Sequence, residues 1–383
     1  MAAQRTLRVT LVTHYYPAHR GGVERVAGQL AERLAAAGVA RIDWHASDCD
    51  PPPVAAGLTA VPAPACNALE RAAGIPYPLW RPAALRRLVR ACRESDVVHL
   101  HDCLYLQNVV AFLAARRARR PVLVTQHIGH VPYRNALLRG LQHAANRALG
   151  RLVLGGADQV VFESETVRRY FSGFVGFRRP AVRVQNGVDT QRFQPAPEKE
   201  RYACRQRLGV PADKPVLLFL GRFVEKKGMP VLRELAQRLP QIHWLFAGWG
   251  PLDPASWRLP NATVVQSPAT EELGALYQAA DLLVLPSVGE GFPLSVQESM
   301  ACGTPALVGA DTAAGCPEAS GVLLSERVGG ATAERWAMRI QSLLDAPDAL
   351  AGLRPRVAAF ARKQWSWEEC VARYSALLRA CAE

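Results

Sequence analysis

Apolar residues along this chain alternate between two rhythms. Short unbroken runs are separated by longer stretches in which an apolar residue recurs every third or fourth position. Leu7-Arg-Val-Thr-Leu-Val-Thr13 is a run of the first kind, the pattern of a strand buried in a parallel sheet. His14 to Gly22 reads as a loop carrying Pro17 and Gly21-Gly22. Val23 to Gly38 then has helical spacing through Val26, Leu30 and Leu34 and ends on glycine, the usual helix stop. Further buried-strand runs are Asp96 to His101, Val122 to Thr125 and Gln159 to Phe162, with helical stretches between them. Strand, crossover and strand repeated in this way predict a doubly wound α/β sheet. The proline-rich stretch from Pro51 to Pro82 reads as a long irregular connection.

The pattern restarts at Val216-Leu-Leu-Phe-Leu-Gly221. It continues through His243 to Gly248, Ala262 to Val265, Asp281 to Leu285 and Pro305 to Val308, and Pro195 to Arg201 reads as part of a linker. A chain of 383 residues is long for one domain and comfortable for two, each with a sizeable core.

The stretch Glu290-Gly-Phe-Pro-Leu-Ser-Val-Gln-Glu298 carries the clearest chemistry. Continuous helix would hold its two carboxylates about 12 Å apart, but Gly291 and Pro293 argue for a loop at Glu290 and a helix opening near Pro293 or Leu294. The free N–H groups at such an opening attract phosphate. A carboxylate then stands on each side of an anion site, which suits a nucleotide-sugar. Gly221-Arg-Phe-Val-Glu-Lys-Lys-Gly228 follows the first strand of the second half. There the glycine allows close backbone approach, and Arg222 and Lys227 can converge on a diphosphate. His127 follows the Val122 strand at the carboxyl end, where ligands gather in open sheets; His99, His101 and His130 are alternatives nearby.

Glu290 to Pro305 resembles the signature E-G-F-x-L-x-x-x-E-A-M-A-C-G-x-P of the retaining glycosyltransferases of family 4, with Ser299 where alanine is commoner. Gly221 to Gly228 is similar to the family's G-R-x-x-x-x-K-G, with Lys227 in the binding position. Asn186-Gly-Val-Asp189 with Phe193 is similar to N-G-V-D-x-x-x-F, and reads as mainly structural. The resemblance extends over nearly the whole chain. It implies α/β GT-B architecture: two Rossmann-like doubly wound domains, 1–195 on the acceptor side and 200–364 on the nucleotide-sugar donor side, facing a central cleft. A C-terminal helix, about 365–383, would cross back to the first domain.

The same resemblance assigns roles. Arg222 and Lys227 would stabilise the departing diphosphate, Glu290 would hold a hydroxyl of the donor sugar, and Glu298 would hold the ribose. His127, at the Thr-x-His strand end, would bond a sugar hydroxyl or the region of developing charge. Gly21 and Gly22 would lie near the donor phosphate, and Gly248 and Gly250, in a G-x-G-P turn holding Trp249, near the base. Gly291, Phe292, Pro293, Leu294 and Ser295 would complete the donor site. The implied activity is retaining transfer of a hexose from a UDP- or GDP-sugar to a glycan or lipid-linked acceptor, in surface polysaccharide or glycolipid synthesis, with no cofactor and no metal. Asp48-Cys-Asp50 is formally a D-x-D metal signature, but it lies far in sequence from the donor motifs. A sugar-nucleotide epimerase of the same fold and a non-catalytic nucleotide-sugar binding protein are the rival readings.

Composition adds two points. The nine scattered cysteines, without a C-x-x-C pair, fit reduced thiols, and with no apolar run of membrane-span length or secretory leader the expected location is cytoplasmic. Met1 to Pro195 holds 26 arginines and no lysine against 13 acidic residues, while the remainder is balanced at 20 against 20. The whole net charge of +13 therefore lies in the first half. Nucleic-acid motifs are lacking, so the charge points to an anionic membrane surface or a lipid-diphosphate acceptor, against the plainer reading of a solvated arginine-rich surface. Two basic, partly apolar stretches, Arg81 to Arg93 and Tyr133 to Leu154, are the candidates for docking on the membrane.

Overall fold

In the computed structural model, which describes residues 5–19, 21–129 and 135–383, the first half builds a seven-stranded parallel sheet. Its strands in chain order are β1 (Leu7–Val12), β2 (Ala40–Ser47) and β3 (Leu58–Ala63). A small antiparallel pair, β4 (Ala65–Cys66) and β5 (Leu79–Trp80), intervenes. The sheet resumes with β6 (Val97–His101), β7 (Val122–Gln126), β8 (Gln159–Phe162) and β9 (Val182–Arg183). Their spatial order is β3-β2-β1-β6-β7-β8-β9. Val9 of β1 is in register with Ile42 of β2 on one side and Val97 of β6 on the other. The order of the strands therefore reverses between β1 and β6, and a crevice opens at their carboxyl ends.

The second half repeats the plan with β10 (Val216–Arg222), β11 (His243–Trp249), β12 (Ala262–Gln266), β13 (Leu282–Leu285), β14 (Ala306–Gly309) and β15 (Leu324–Glu326). They lie in the order β12-β11-β10-β13-β14-β15, again all parallel. Here the reversal falls between β10 and β13. β13 is buried along its whole length, as a central strand covered on both faces must be, and Trp244, Trp336, Phe219 and Phe246 are fully buried in the core around it.

Two compact units result, Met1–Gly187 with Glu368–Glu383, and Val188–Trp367. The helix Trp367–Ala382 is joined to the first unit by a Tyr374 Oη–Thr125 Oγ1 hydrogen bond of 3.0 Å and by Arg179 Nη1–H donating to the Ala380 carbonyl at 3.1 Å.

Three departures from the sequence reading have physical causes. β2 alternates exposed or half-exposed Arg41 and Asp43 with buried Ile42 and Trp44, so it lacks the continuous apolar run that marks the central strands. β3 and the helix Ala68–Ala73 lie inside the stretch read as irregular; β3 tolerates Pro62 because it is the edge strand, where a missing N–H costs no ladder bond. The supposed linker holds the start of a helix, Glu198–Arg207, pinned by Arg201 and Arg205 to the Asp281 carboxylate at 2.8 and 2.7 Å.

The two arginine-rich stretches also part ways. In the helix Pro82–Glu94, Ala84, Leu88 and Cys92 are buried in the core, so its apolar side is already used and the docking expectation for it is corrected. The helix Ala136–Leu149 is different, with Leu137 79% and Leu141 64% exposed. Tyr133 and Arg134 lie outside the described residues, and so does His130. Among the described residues no helix is long and apolar enough to cross a membrane.

Candidate active site

The second unit gathers its candidate residues at the β10/β13 reversal. Arg222 ends β10 and is exposed. The chain then turns through the short helix Glu225–Lys227, which closes on Gly228 at φ +83°. A Cβ on Gly228 would stand 2.5 Å from the Pro286 carbonyl oxygen, so glycine is required by conformation and by contact alike. That contact brings the loop after β10 against the loop after β13. Val288 N–H donates to the Lys226 carbonyl at 2.9 Å, and Lys227 Nζ lies 3.0 Å from Glu290 Oε2. The other Glu290 oxygen, Oε1, is buried without a partner among the described residues, and the Lys226 side chain is exposed.

Beyond Glu290 the turn leads to the helix Leu294–Ala301, with Pro293 as its N-cap in extended conformation. No acidic residue occupies its first turn, so the dipole there is uncompensated by a neighbouring carboxylate. Phe292 is buried and packs on Trp365 with ring centres 5.4 Å apart, so its side chain anchors the turn. Glu298 is buried and its Oε2 accepts from Tyr277 Oη–H at 2.7 Å. Gly248 and Gly250 have a packing role of their own. A Cβ on Gly248 would collide with the Gly221 carbonyl, and one on Gly250 would stand 2.5 Å from that of Phe223. Trp249, between them, is 43% exposed.

The first unit gathers a buried network at the carboxyl ends of neighbouring strands. After β1, His14 Nε2–H donates to Glu24 Oε1 at 2.7 Å, and the His14 ring stacks on Tyr105 at 4.1 Å. Burial opposes charge on Glu24, but the His14 contact outweighs it and holds the carboxyl below its ordinary range. Gly21 caps the helix Gly22–Ala36, and a Cβ on it would strike the Glu24 carboxylate. A Cβ on Gly22 meets nothing within 4 Å among the described residues. The N-terminus of that helix thus already carries its own carboxylate.

At the end of β6, Asp102 adopts φ +67°. This turns its Oδ1 to accept from His127 N–H at 2.9 Å, Ile128 N–H at 3.1 Å and Gln126 Nε2 at 2.8 Å. Both His127 ring nitrogens are engaged, Nδ1 with Glu163 Oε1 at 2.6 Å and Nε2 with His101 Nδ1 at 2.7 Å. Burial pushes the His101 imidazole well below its ordinary value, and to about 3 for His99. For His127 burial acts in the same direction, but the Glu163 carboxylate overrides it and the value is raised. Glu163 is steadied in turn by Asn186 Nδ2–H donating to Oε2 at 3.2 Å, which gives the Asn-Gly motif a link to the site. Motif reading passed over Glu163, Asp102, Glu24 and Tyr277. The signal available for the first two is position alone, one residue past the end of a buried strand.

The two aspartates of Asp48-Cys-Asp50 have protein partners: Asp48 Oδ1 accepts from Ala65 N–H at 3.1 Å, and Asp50 Oδ2 lies 2.9 Å from His19 Nδ1. His19 Nε2 contacts Glu70 at 3.0 Å.

The chain matches the models described as Glycosyltransferase Family 4 over residues 20–192 and Glycosyl transferases group 1 over residues 214–346. It is 33% identical over 304 residues to the D-inositol 3-phosphate glycosyltransferase of Thermobispora bispora, covering 73% of this chain and 69% of that one. It is 32% identical over 325 residues to D-inositol 3-phosphate glycosyltransferase 1 of Catenulispora acidiphila, covering 77% and 75%. Among solved structures, sucrose-phosphate synthase from Thermosynechococcus elongatus superposes with a TM-score of 0.76 at 22% identity, covering 98% of both chains. Anabaena HepE in complex with UDP gives a TM-score of 0.76 at 19% identity, covering 98% of this chain and all of the other. At these identities the structural likeness is one of fold, with two Rossmann-like domains in each case.

Proposed function

The chain belongs to glycosyltransferase family 4 and has the GT-B fold, and from that premise we propose that it transfers a hexose from a UDP- or GDP-sugar with retention at the anomeric carbon. The observation that carries this reading is the buried, unpartnered Glu290 Oε1 beside the Lys227–Glu290 pair at the β10/β13 reversal. A carboxylate oxygen without a donor in so enclosed a place is matched by a sugar hydroxyl. Arg222 and Lys227 supply charge to the diphosphate as it departs, where preorganised cations act most strongly, and the N–H groups of Leu294 and Ser295 add to them. Glu298 serves the ribose while sharing its carboxylate with Tyr277. In the step itself the sugar C1–O(phosphate) bond breaks as the C1–O(acceptor) bond forms on the same face. The acceptor's hydroxyl proton passes to the departing phosphate. His127, whose ring is held by Glu163 and His101, is proposed to bond a sugar hydroxyl or the region of developing charge.

Two acceptor classes have separate support. The relatives' names point to D-inositol 3-phosphate, a phosphorylated polyol. The arginine excess of the first half points to a glycan or lipid-linked acceptor at an anionic surface. Melting-temperature screens against UDP-, GDP- and ADP-sugars identify the donor, since ligand at 100 times its Kd stabilises by about 2.7 kcal/mol. Release of nucleoside diphosphate is then expected only when an acceptor is added. Release without acceptor or epimerised donor sugar would favour the epimerase reading, and binding without turnover the non-catalytic one. Turnover is expected to survive EDTA, because the two cations provide what a metal otherwise would; complete loss restored by Mg²⁺ or Mn²⁺ would overturn this.

Membrane docking, if it serves a lipid-linked acceptor, rests on the helix Ala136–Leu149. Its exposed Leu137 and Leu141 stand one turn apart, with Arg139, Arg147 and Arg151 exposed close by in sequence. That combination fits an anionic bilayer, each arginine contributing about 1 kcal/mol. Co-sedimentation with anionic liposomes is expected, weakened by salt and lost in Leu137→Glu/Leu141→Glu. Equal partition with neutral and anionic liposomes, or none with either, would favour the soluble acceptor.

A further inference from the structure

Of the chain's eight tryptophans, six are buried: Trp44, Trp80, Trp244, Trp336, Trp365 and Trp367. Trp257 packs edge-on against Phe246 with ring centres 5.3 Å apart. Trp249 differs from all of these. It is 43% exposed, and among the described residues its indole has no ring partner of the kind that Trp244 and Trp257 find in Phe246. A single exposed apolar side chain is ordinary on a protein surface, so exposure by itself says little. What distinguishes Trp249 is its place.

Trp249 is the last residue of β11 and lies in register with Arg222, the last residue of β10. Residues in register on neighbouring parallel strands project from the same face, here with the two backbones about 4.8 Å apart. The indole therefore rises beside the guanidinium at the carboxyl edge of the second sheet, next to the point where its strand order reverses. The backbone beneath it is held. Phe223 N–H donates to the Trp249 carbonyl at 2.7 Å, and Ser267 N–H donates to the Gly248 carbonyl at 2.8 Å. Gly248 and Gly250 have φ of +146° and +152°, and a Cβ on either would strike the adjoining backbone. An apolar ring in a fixed position thus adjoins an exposed cation.

Resting on the reading of the donor as a nucleotide-sugar, we infer that Trp249 is the platform on which the donor's nucleobase stacks. A nucleoside diphosphate held at its phosphates by Arg222 carries its base one ribose away, within reach of the neighbouring strand. Every base has a π-face, and stacking on an aromatic side chain tolerates any of them. Trp249 therefore supplies affinity for the nucleoside part and leaves the choice among uracil, guanine and adenine to hydrogen bonds made elsewhere. The ligand class is a nucleoside diphosphate or its sugar ester, and a bare diphosphate lacks the part that the indole recognises. If the indole instead only packed along the Arg222 stem, its removal would weaken every diphosphate alike, with or without a base.

The test is calorimetric titration of the full chain with UDP, GDP, ADP and inorganic pyrophosphate, comparing the unaltered protein with Trp249→Ala and Trp249→Phe. Folding is checked by circular dichroism. In Trp249→Ala the Kd of the tightest-binding nucleotide is expected to rise by roughly tenfold or more, the size of one base–aromatic stack. Trp249→Phe is expected to keep most of the affinity, and the Kd of pyrophosphate to stay unchanged in both variants. The same nucleotide is expected to quench part of the tryptophan emission of the unaltered protein, a part missing from Trp249→Phe. An unchanged nucleotide Kd in folded Trp249→Ala overturns the inference. An equal loss for nucleotide and pyrophosphate also overturns it, because the ring would then support Arg222 without touching a base. Failure of the donor reading looks different: no nucleotide would bind the unaltered protein, which removes both, whereas binding that ignores Trp249 removes the stacking alone.

Discussion

Arg222→Ala is expected to lower kcat/KM by roughly 10²-fold or more, in line with loss of one preorganised charge-assisted contact to the transition state. Arg222 ends β10 at the point where the second sheet reverses its order, and its side chain is exposed there. Lys227→Ala is expected to cost at least as much. It removes a second cation and also leaves Glu290 Oε2 without its partner at 3.0 Å, a loss that a partly enclosed carboxylate feels more than an exposed one. The control lies next door. Lys226 is exposed, and its contact to the β13 loop is made by its carbonyl, so Lys226→Ala should stay within a few-fold of normal. Steady-state kinetics at saturating acceptor separates the three. Near-normal turnover in folded Arg222→Ala would sink the diphosphate assignment, and equal losses at all three positions would reduce it to a general charge effect.

A second large effect is expected on stability in mild acid. His45, His99 and His101 are buried and held neutral: burial lowers His45 to about 4 and His99 to about 3, and lowers His101 well below the ordinary value. For a base with a depressed folded value, the unfolded chain binds more protons across the window between the two values. The stability is therefore present above about 6.5 and is lost as the pH falls towards the folded value. His45 alone, moved from 6.5 to about 4, contributes on the order of 3 kcal/mol over its full window at about 1.4 kcal/mol per unit. Between pH 7 and pH 5 most carboxylates remain ionised, so urea unfolding at the two values isolates the histidines. His127 opposes the trend, but the depressed rings, to which burial adds His243, outnumber it, and a net fall of several kcal/mol is expected. A midpoint unchanged between pH 7 and pH 5 would show that these rings are not held neutral.

Much of the plan was legible in the linear pattern. Unbroken apolar runs such as Leu217 to Leu220 and Leu282 to Leu285 mark strands covered on both faces, because only burial on both sides removes the need for alternation. Helical spacing between them dictates parallel crossovers and hence two doubly wound sheets. Glu290, Gly291 and Pro293 exclude a continuous helix by conformation alone, and the helix begins at Leu294 with Pro293 as cap. Gly228, in G-R-x-x-x-x-K-G, is a residue whose backbone conformation no other side chain adopts cheaply. These are local determinants, and a local reading finds them.

Tertiary packing decided the rest. β2 and β3 were invisible because a strand near a sheet edge needs only one buried face, and β2 mixes charged and apolar positions. The leucines of Arg81 to Arg93 and those of the helix Ala136–Leu149 look alike in sequence, yet Leu88 is core and Leu137 is exposed; only the position of each helix on the sheet separates them. Glu163, Asp102 and His101 belong to no motif. They meet at His127 because consecutive strands of the sheet end side by side, although Glu163 is 36 residues from His127 in the chain and His101 is 26. The sequence by itself therefore determined two doubly wound units and the place of Arg222, Lys227 and Glu290 at a strand end and in turns, since backbone conformation and burial periodicity are written residue by residue. The surroundings that raise the pKa of His127 were decided by the tertiary structure alone, because an electrostatic field is set by distances between groups that the chain order does not encode.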